Sequence, residues 1–240
     1  MSHLTQRKFD RMLKAMGQKK APSPDKPQAQ RPSVALCIPY EELVYAKWVI
    51  EAFTPIVTQA LHTQDYIVNV EGAFIDTARR TLAEQALETD AQYLFWMDTD
   101  NVPPKHMDVI GRLLSHNKDI VGGWYNTKKQ RHPCAYDLAG FNAEKDWREY
   151  RPRAEAPTDP NAPQCKCGKQ HADTLEKVDG LGFGCMLIHR RVFEAFEGKK
   201  WFSTQYGTED LYFEYEAKQL GFETYVDWGI HAAHLGIFAA

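Results

Sequence analysis

The sequence has no apolar run that could cross a membrane, since a spanning helix needs about 20 apolar residues in succession and no stretch approaches that length. Its first residues also lack the apolar centre of a secretory signal. We therefore expect a soluble, cytoplasmic protein. A surplus of charge is missing as well, because the formal net charge is −3 over 240 residues. That balance argues against a protein that binds nucleic acid over its whole surface.

Cysteine is scarce, and its number is odd. Five cysteines in 240 residues do not make the disulfide framework of a small secreted domain. Cys37 and Cys185 lie in apolar runs, where we expect them as thiols of the core. A second group of residues could hold a structural zinc ion. Its ligands would be Cys165, Cys167 and His171, with either Cys134 or His132 as the fourth. The C-x-C spacing differs from the usual C-x-x-C of zinc sites, so a plain loop is the alternative.

The composition nevertheless supports a folded core. With 43% hydrophobic and 12% aromatic residues, the chain can bury enough apolar surface for one domain. We place this domain at residues 32–240 and expect a separate basic segment at residues 1–31. The segment spaces apolar residues from Phe9 to Met16 as one face of a helix and ends in a proline-rich linker. It is either a loosely ordered tail or a helix that docks on a polymer, a membrane surface, a partner or a second copy of the chain.

From Ser33 onward, apolar runs alternate with amphipathic stretches. Strands are predicted at 33–40, 65–70, 93–98, 119–125, within 178–196 and at 223–230, and helices at 44–57, 74–89, 104–116 and 209–221. Such alternation is typical of an α/β fold with a mostly parallel sheet, whose site lies at the carboxyl ends of the strands. Residues from about 140 to 176 break the pattern, and we expect an inserted loop or lid there.

The segment YLFWMDTDNVPP, residues 93–104, places Asp98 and Asp100 at such a strand end. The two carboxylates share a side of an extended chain, so they could hold a divalent cation together with the diphosphate of a nucleotide sugar. Alternatively, Asp98 is a nucleophile and Asp100 its acid, as in haloacid-dehalogenase-like phosphatases, although two strands precede the motif here. In the third interpretation Asp98 caps the turn and Asp100 is solvated.

Further motifs follow one another in a fixed order. SVALCIPY opens the domain, and Arg79 lies in the helix before the D-x-D strand. DIVGGWY, GLGFGCMLIHRRVFEAF, TEDLYFEYEAKQLGFETYVDW and HAAHLG come after that strand. In this order the motifs resemble a glycosyltransferase of the GT-A fold, and they are most similar to the family 2-like enzymes of bacteria and phages. The resemblance covers about residues 33–236 apart from the insertion. It implies a Rossmann-like, mostly parallel sheet flanked by helices.

The resemblance also implies a metal site. Asp100 would coordinate Mn²⁺ or Mg²⁺, and Asp98 beside it would contact the ion, its waters or a ribose. His234 would be a further ligand, and an imidazole suits Mn²⁺ better than Mg²⁺. His231, three residues earlier, is the alternative ligand. A surface histidine without a metal is the plain alternative for both.

An acidic pair and a set of donor contacts complete the implied site. Glu209 and Asp210 match the pair that begins a helix below the acceptor site, and Asp210 would be the base of an inverting transfer. Acidic residues at a helix start also stabilise the helix without any chemistry. Arg79 would face the nucleotide, while Arg80 points to solvent. For each residue of a larger set, the alternative is plain packing or a tight turn. The resemblance implies that these residues contact the nucleotide-sugar donor: Pro39, Tyr40, Trp124, Gly180, Gly182 and Gly184.

We therefore expect a metal-dependent glycosyltransferase that moves a sugar from a nucleoside-diphosphate sugar, UDP-linked in our hypothesis, to an acceptor hydroxyl with inversion. The acceptor would be a saccharide, a protein or, through the basic tail, a hydroxymethylated DNA base. Two alternatives stay open. One is a phosphatase or nucleotidyltransferase that uses the same aspartates and metal. The other is a module that binds a sugar nucleotide without turnover.

Overall fold

The computed structural model describes residues 31–142, 144, 147–164, 169–205 and 207–236, and the structural statements below concern these residues. The predicted basic tail, apart from Arg31, lies outside them. Cys165 and Cys167 of the predicted zinc site lie outside them too. Among the described residues, no helix has the length and apolar character needed to cross a membrane.

The described chain contains the following strands: β1 (Val34–Tyr40), β2 (Tyr66–Glu71), β3 (Tyr93–Met97), β4 (Asn101–Val102), β5 (Ile120–Trp124), β6 (Ala135–Asn142), β7 (Trp147–Pro152), β8 (Leu175–Val178), β9 (Gly180–Leu181), β10 (Cys185–His189), β11 (Thr224–His231) and β12 (Ala233–His234). The helices are α1 (Ala46–Trp48), α2 (Ile75–Leu87), α3 (Val109–Ser115), α4 (Arg190–Glu194) and α5 (Glu209–Gln219). Two π-helical segments, Val49–Phe53 and Ile56–Ala60, continue α1.

The central sheet is mixed and has the order β2-β1-β3-β10-β5-β11-β8. β1 pairs in parallel with β2 and β3, and β5 pairs in parallel with β11. β10 runs antiparallel between β3 and β5, and β8 is antiparallel at the edge beside β11. Every residue of β3 and β5 is buried, as in sheets that are covered on both faces. The predicted α/β fold is therefore confirmed, with two antiparallel strands in the sheet.

Amphipathic spacing explains how the helices cover the sheet. In α2, the residues Ala78, Leu82 and Ala86 recur every fourth position and are buried, which places one face of the helix on the sheet. That face contacts β1 and β2. Arg79 lies in the same buried face at 2% exposure, so this arginine points into the domain.

Two predictions about local structure were wrong in part. The helix expected at 104–116 begins only at Val109, because the Asp108 side chain accepts a hydrogen bond from the Gly111 amide at 2.9 Å and caps the helix there. The segment expected to lack regular structure from about 140 contains the hairpin of β6 and β7. Arg153, which follows β7, forms ion pairs with Asp137 of β6 and with Glu176 of β8.

Candidate active site

The site begins at the turn that follows β3. The Asn101 amide donates to the Asp98 carbonyl at 3.1 Å and closes a turn around Asp100. β4 then pairs antiparallel with β12, and this register places His234 opposite Asn101. The Leu235 amide donates to the Asp100 carbonyl at 2.6 Å. A backbone ladder therefore brings the late histidine of the chain to the D-x-D turn.

Asp100 has three polar neighbours. Its Oδ2 lies 3.3 Å from Nε2 of His234 and 2.6 Å from Nζ of Lys128, and its Oδ1 accepts from Nδ2 of Asn101 at 3.1 Å. Burial opposes a charge on this carboxylate, but the hydrogen bonds to His234 and Lys128 outweigh burial and lower the pKa of Asp100. The ionised form of Asp100, which can bind a cation, is therefore favoured.

The tautomer of His234 follows from its other nitrogen. Nδ1 lies 2.8 Å from the carbonyl oxygen of Asn126, and a carbonyl can only accept, so Nδ1 carries the hydrogen. Nε2, the other ring nitrogen, faces Oδ2 of Asp100 at 3.3 Å. Metal-binding histidines are commonly oriented by a backbone carbonyl in this way.

Asp100 and His234 suit a divalent cation whose remaining coordination positions are filled by a bound ligand. Within the part of the chain that the structure describes, no group of three or more His, Cys, Asp or Glu side chains is arranged to hold a metal ion. Asp100 and His234 supply one oxygen and one nitrogen, which is a common protein share for a cation that also binds phosphates and water. Asp98 instead forms an ion pair with Arg79.

Arg79 connects the D-x-D turn to the start of α5. Its Nη1 lies 2.8 Å from Oδ1 of Asp98, and its Nη2 donates to Oδ2 of the same carboxylate at 3.1 Å. Its Nε lies 3.5 Å from Oε1 of Glu209. The rings of Trp96 and Phe183 lie 5.6 and 5.4 Å from the guanidinium carbon. Burial opposes the charge of Arg79, but the two carboxylates outweigh it and raise the pKa of the guanidinium. The predicted contact of Arg79 with a nucleotide stays a prediction.

Glu209 and Asp210 form the first turn of α5, next to Arg79. Burial, aided by repulsion from Asp210, raises the pKa of Glu209 to about 7. Burial also raises the pKa of Asp210, against hydrogen bonds from the Thr208 hydroxyl and the Leu211 amide. Both of these donors bind the Oδ1 atom of Asp210, the amide at 2.8 Å. The acidic pair thus has a higher proton affinity than ordinary carboxylates have.

The glycines of the GLGFG run make room for protein side chains. A Cβ on Gly182 would overlap the hydroxyl of Tyr125, and one on Gly184 would overlap Nδ2 of Asn101. Tyr125 is 8% exposed and packs its ring 4.9 Å from that of His234. Gly180 is part of β9, where a Cβ would overlap Leu211. Contacts of these glycines with a donor sugar stay predictions.

Other predicted residues lie away from this group or inside the core. Trp124 is 2% exposed, donates its indole hydrogen to the Trp228 carbonyl at 3.0 Å, and stacks on His231 at 3.9 Å. Burial lowers the pKa of His231 to about 4. His171 packs its ring edge on both of these rings. His234, and not His231, is therefore the histidine beside Asp100, and a contact of Trp124 with a sugar stays a prediction.

Pro39 and Tyr40 end β1, and Tyr40 donates to Glu71 of β2 at 3.3 Å. Their contact with a base stays a prediction as well. No described residue supports the zinc site. Cys134 is a buried thiol, and His132 Nδ1 lies 2.8 Å from the adjacent Pro133 carbonyl.

Sequence reasoning missed Lys128, Tyr125 and Asn126, although Tyr125 ends the strand predicted at 119–125 and the other two follow it. Their place at the carboxyl end of a strand was a usable signal, because the site was expected at these ends. What the sequence did not show was that the loop after β5 turns back over Asp100.

Comparisons with known proteins bear on the fold and not on the roles of individual residues. No family model matches the sequence, and no curated protein sequence matches it significantly. Among solved structures, A197 from STIV is similar at a TM-score of 0.53 and 20% identity, over 85% of this chain and 86% of that one. GalNAc-T7, solved with UDP, GalNAc and Mn²⁺, is similar at a TM-score of 0.50 and 8% identity, over 98% of this chain and 53% of that one. At these identities the likeness extends to the arrangement of the elements alone.

Proposed function

We propose that the protein is a metal-dependent glycosyltransferase of the GT-A type. In this proposal it transfers a sugar from a nucleoside-diphosphate sugar, with UDP as the nucleotide, to an acceptor hydroxyl. One observation carries the proposal: the D-x-D turn brings two charged groups together, since Asp100 lies beside His234 while Asp98, two residues earlier, is joined through Arg79 to Glu209 at the start of α5. The fold neighbour GalNAc-T7 was solved with UDP, a sugar and Mn²⁺, which supports the donor and the metal.

The described residues divide the chemistry into two parts. Asp100 and His234 would hold Mn²⁺ or Mg²⁺, which, when bound, supplies positive charge to the departing diphosphate. Asp210 would accept the proton of the acceptor hydroxyl while that oxygen attacks the sugar carbon, which inverts the carbon. Oδ1 of Asp210 holds the Thr208 hydroxyl and a backbone amide, so Oδ2 is the atom that we assign to the proton.

Glu209 and Arg79 would position these groups. Arg79 binds both oxygens of Asp98 and lies against Glu209, so it fixes the distance between the metal side and the base side of the site. Since burial already raises the pKa of Asp210, the carboxylate takes up a proton more readily than an exposed aspartate does.

A panel of sugar nucleotides with Mn²⁺ tests the proposal, scored by release of the nucleotide and by protection against unfolding. Asp100→Asn should abolish metal-dependent turnover, because it removes the anionic ligand, while the thermal transition of the protein stays cooperative. Asp90→Asn, at an exposed aspartate, is the matched control and should keep full activity. Full activity in Asp100→Asn would remove the metal role of this turn.

The same panel separates the alternative activities. A phosphatase would release inorganic phosphate from simple phosphate esters and leave UDP-sugars intact, and a binding module would be protected by a sugar nucleotide without releasing UDP. The acceptor stays a proposal among saccharide, protein and hydroxymethylated DNA base. Retention of configuration in the product, measured by NMR, would remove Asp210 as the base.

A further inference from the structure

A basic loop lies directly over the D-x-D turn. We use this name for residues 126–133, which join β5 to β6 and include Lys128, Lys129 and Arg131. The ends of the loop meet at a backbone bridge between Asn126 and Pro133. Inside the loop, the Thr127 amide donates to the His132 carbonyl at 2.9 Å and the Arg131 amide donates to the Thr127 carbonyl at 3.1 Å. The loop is therefore a closed turn that presents positive charge beside the proposed metal site.

One lysine of this loop already contacts the metal site. Nζ of Lys128 lies 2.6 Å from Oδ2 of Asp100, and the same oxygen lies 3.3 Å from Nε2 of His234. The Lys128 side chain is 48% exposed, so it reaches the carboxylate from the solvent side. The ammonium thus contacts the oxygen atom that a divalent cation would need.

We propose that Lys128 is an exchangeable counter-cation, which neutralises Asp100 while no divalent cation is bound and moves to the donor diphosphate once a cation takes its place. This inference rests on the function proposed above. The exchange needs no movement of the backbone, because lysine carries its charge on a flexible, unbranched stem. It also leaves no charge without a partner, because an ammonium is a common ligand of phosphate oxygens.

The electrostatic reason is competition at one atom. A lysine ammonium and a divalent cation repel each other, and at a separation of a few ångströms within a partly buried site this repulsion is weakly screened. Asp100 Oδ2 therefore binds one of the two strongly. When the donor is present, the two negative charges of its diphosphate attract both cations, so Lys128 gains a new partner as it loses Asp100.

Two effects of opposite sign follow from the exchange. Without a nucleotide, loss of Lys128 should favour binding of the divalent cation, because a competitor is removed. With the cation bound, loss of Lys128 should weaken binding of UDP, because a phosphate ligand is removed. A lysine that only stabilises the loop would not produce this pair of effects.

The experiment is a titration of the full-length protein with Mn²⁺, followed by electron paramagnetic resonance of the free ion, and then a calorimetric titration with UDP at saturating Mn²⁺. Lys128→Met removes the charge and keeps most of the stem, and Lys129→Met makes the same change at the next exposed lysine of the loop. Thermal unfolding of both variants checks that they are folded.

We expect Lys128→Met to bind Mn²⁺ about three- to fivefold more tightly than the parent protein, the size of an ion pair that is half exposed. We expect it to bind UDP about tenfold more weakly, as for one lost charge-assisted hydrogen bond. Lys129→Met should stay within about twofold of the parent in both titrations. If Lys128→Met behaves like Lys129→Met in either titration, the exchange is overturned and the proposed function stands. If none of the proteins binds Mn²⁺, with or without UDP, the metal site itself is overturned, and the exchange with it.

Discussion

Replacing Arg79 by methionine should destabilise the protein strongly, because Asp98 and Glu209 would stay in place without the cation that they share. The Asp98 side chain is 24% exposed and that of Glu209 is 10% exposed, so water compensates little at Glu209 and more at Asp98. Removing one partner of a buried ion pair costs about 3–5 kcal/mol, and the partial exposure of Asp98 favours the lower end, about 3 kcal/mol.

The rings beside the guanidinium change this figure only slightly. Trp96 and Phe183 lie within 6 Å of Arg79, and the lost cation–π attraction is worth about 0.5–2 kcal/mol. The thioether of methionine packs well against aromatic rings and recovers part of that loss. A total of about 3–4 kcal/mol corresponds to a fall in Tm of about 6–16 °C for a domain of this size.

Urea unfolding at about pH 5 and about pH 8 measures this loss. Glu209 already has a pKa raised to about 7, and replacing Arg79 removes a positive charge that lowers this pKa. The cost should therefore be smaller at the lower pH, where Glu209 is protonated, and larger at the higher pH. Arg80→Met is the control, because Arg80 is the exposed neighbour on the same helix. A cost below about 1 kcal/mol, or one equal to that of Arg80→Met, would refute the reasoning.

Two further predictions concern packing and pH. Gly184→Ala should destabilise the protein by about 1–3 kcal/mol, because the new Cβ would overlap Nδ2 of Asn101. Gly140→Ala, where the nearest atom would be 3.8 Å away, should change urea unfolding little, and an equal loss in both variants would contradict the overlap. Burial raises the pKa of Glu209 from 4.5 to about 7, so the folded state binds the proton more tightly than the unfolded state does. Stability from this group is present below pH 4.5 and is lost as pH rises to about 7. As pH rises between these limits, the free energy of unfolding of Glu209→Gln should increase relative to that of the parent by up to about 3 kcal/mol. If the free energies of unfolding of the two proteins changed with pH in parallel, the raised pKa would be contradicted.

The strands of the core could be predicted from the sequence because they are covered on both faces. In β1 and β3, almost every residue is buried, so each strand appears as an unbroken apolar run that ends in a polar residue. The hairpin of β6 and β7 could not be predicted in this way. Arg148, Arg153 and their partners Glu216 and Glu176 come from different parts of the chain, and such pairs have no period in the sequence.

The candidate site, too, could be predicted from the sequence only in part. The motif order indicated that Asp100, His234 and the acidic pair of α5 belong to one site, and the ladder between β4 and β12 does bring His234 to Asp100. The partners of Arg79 could not be predicted, because they depend on how α5 approaches α2. Nor could the burial of Trp124, since a tryptophan after two glycines suits a core and a sugar pocket equally.

The position of β10 in the sheet has a consequence for how the chain is made. β3 and β5 are both fully buried strands, yet they do not pair with each other, because β10 lies between them. During synthesis, β3 therefore keeps an open edge until Cys185 has emerged, and β5 waits for β10 and β11, which are its neighbours in the sheet. Pairings between distant segments form slowly, and open apolar edges attract other chains. A nascent or truncated chain that ends before β10 would thus expose the two strands that later carry the D-x-D turn and the basic loop.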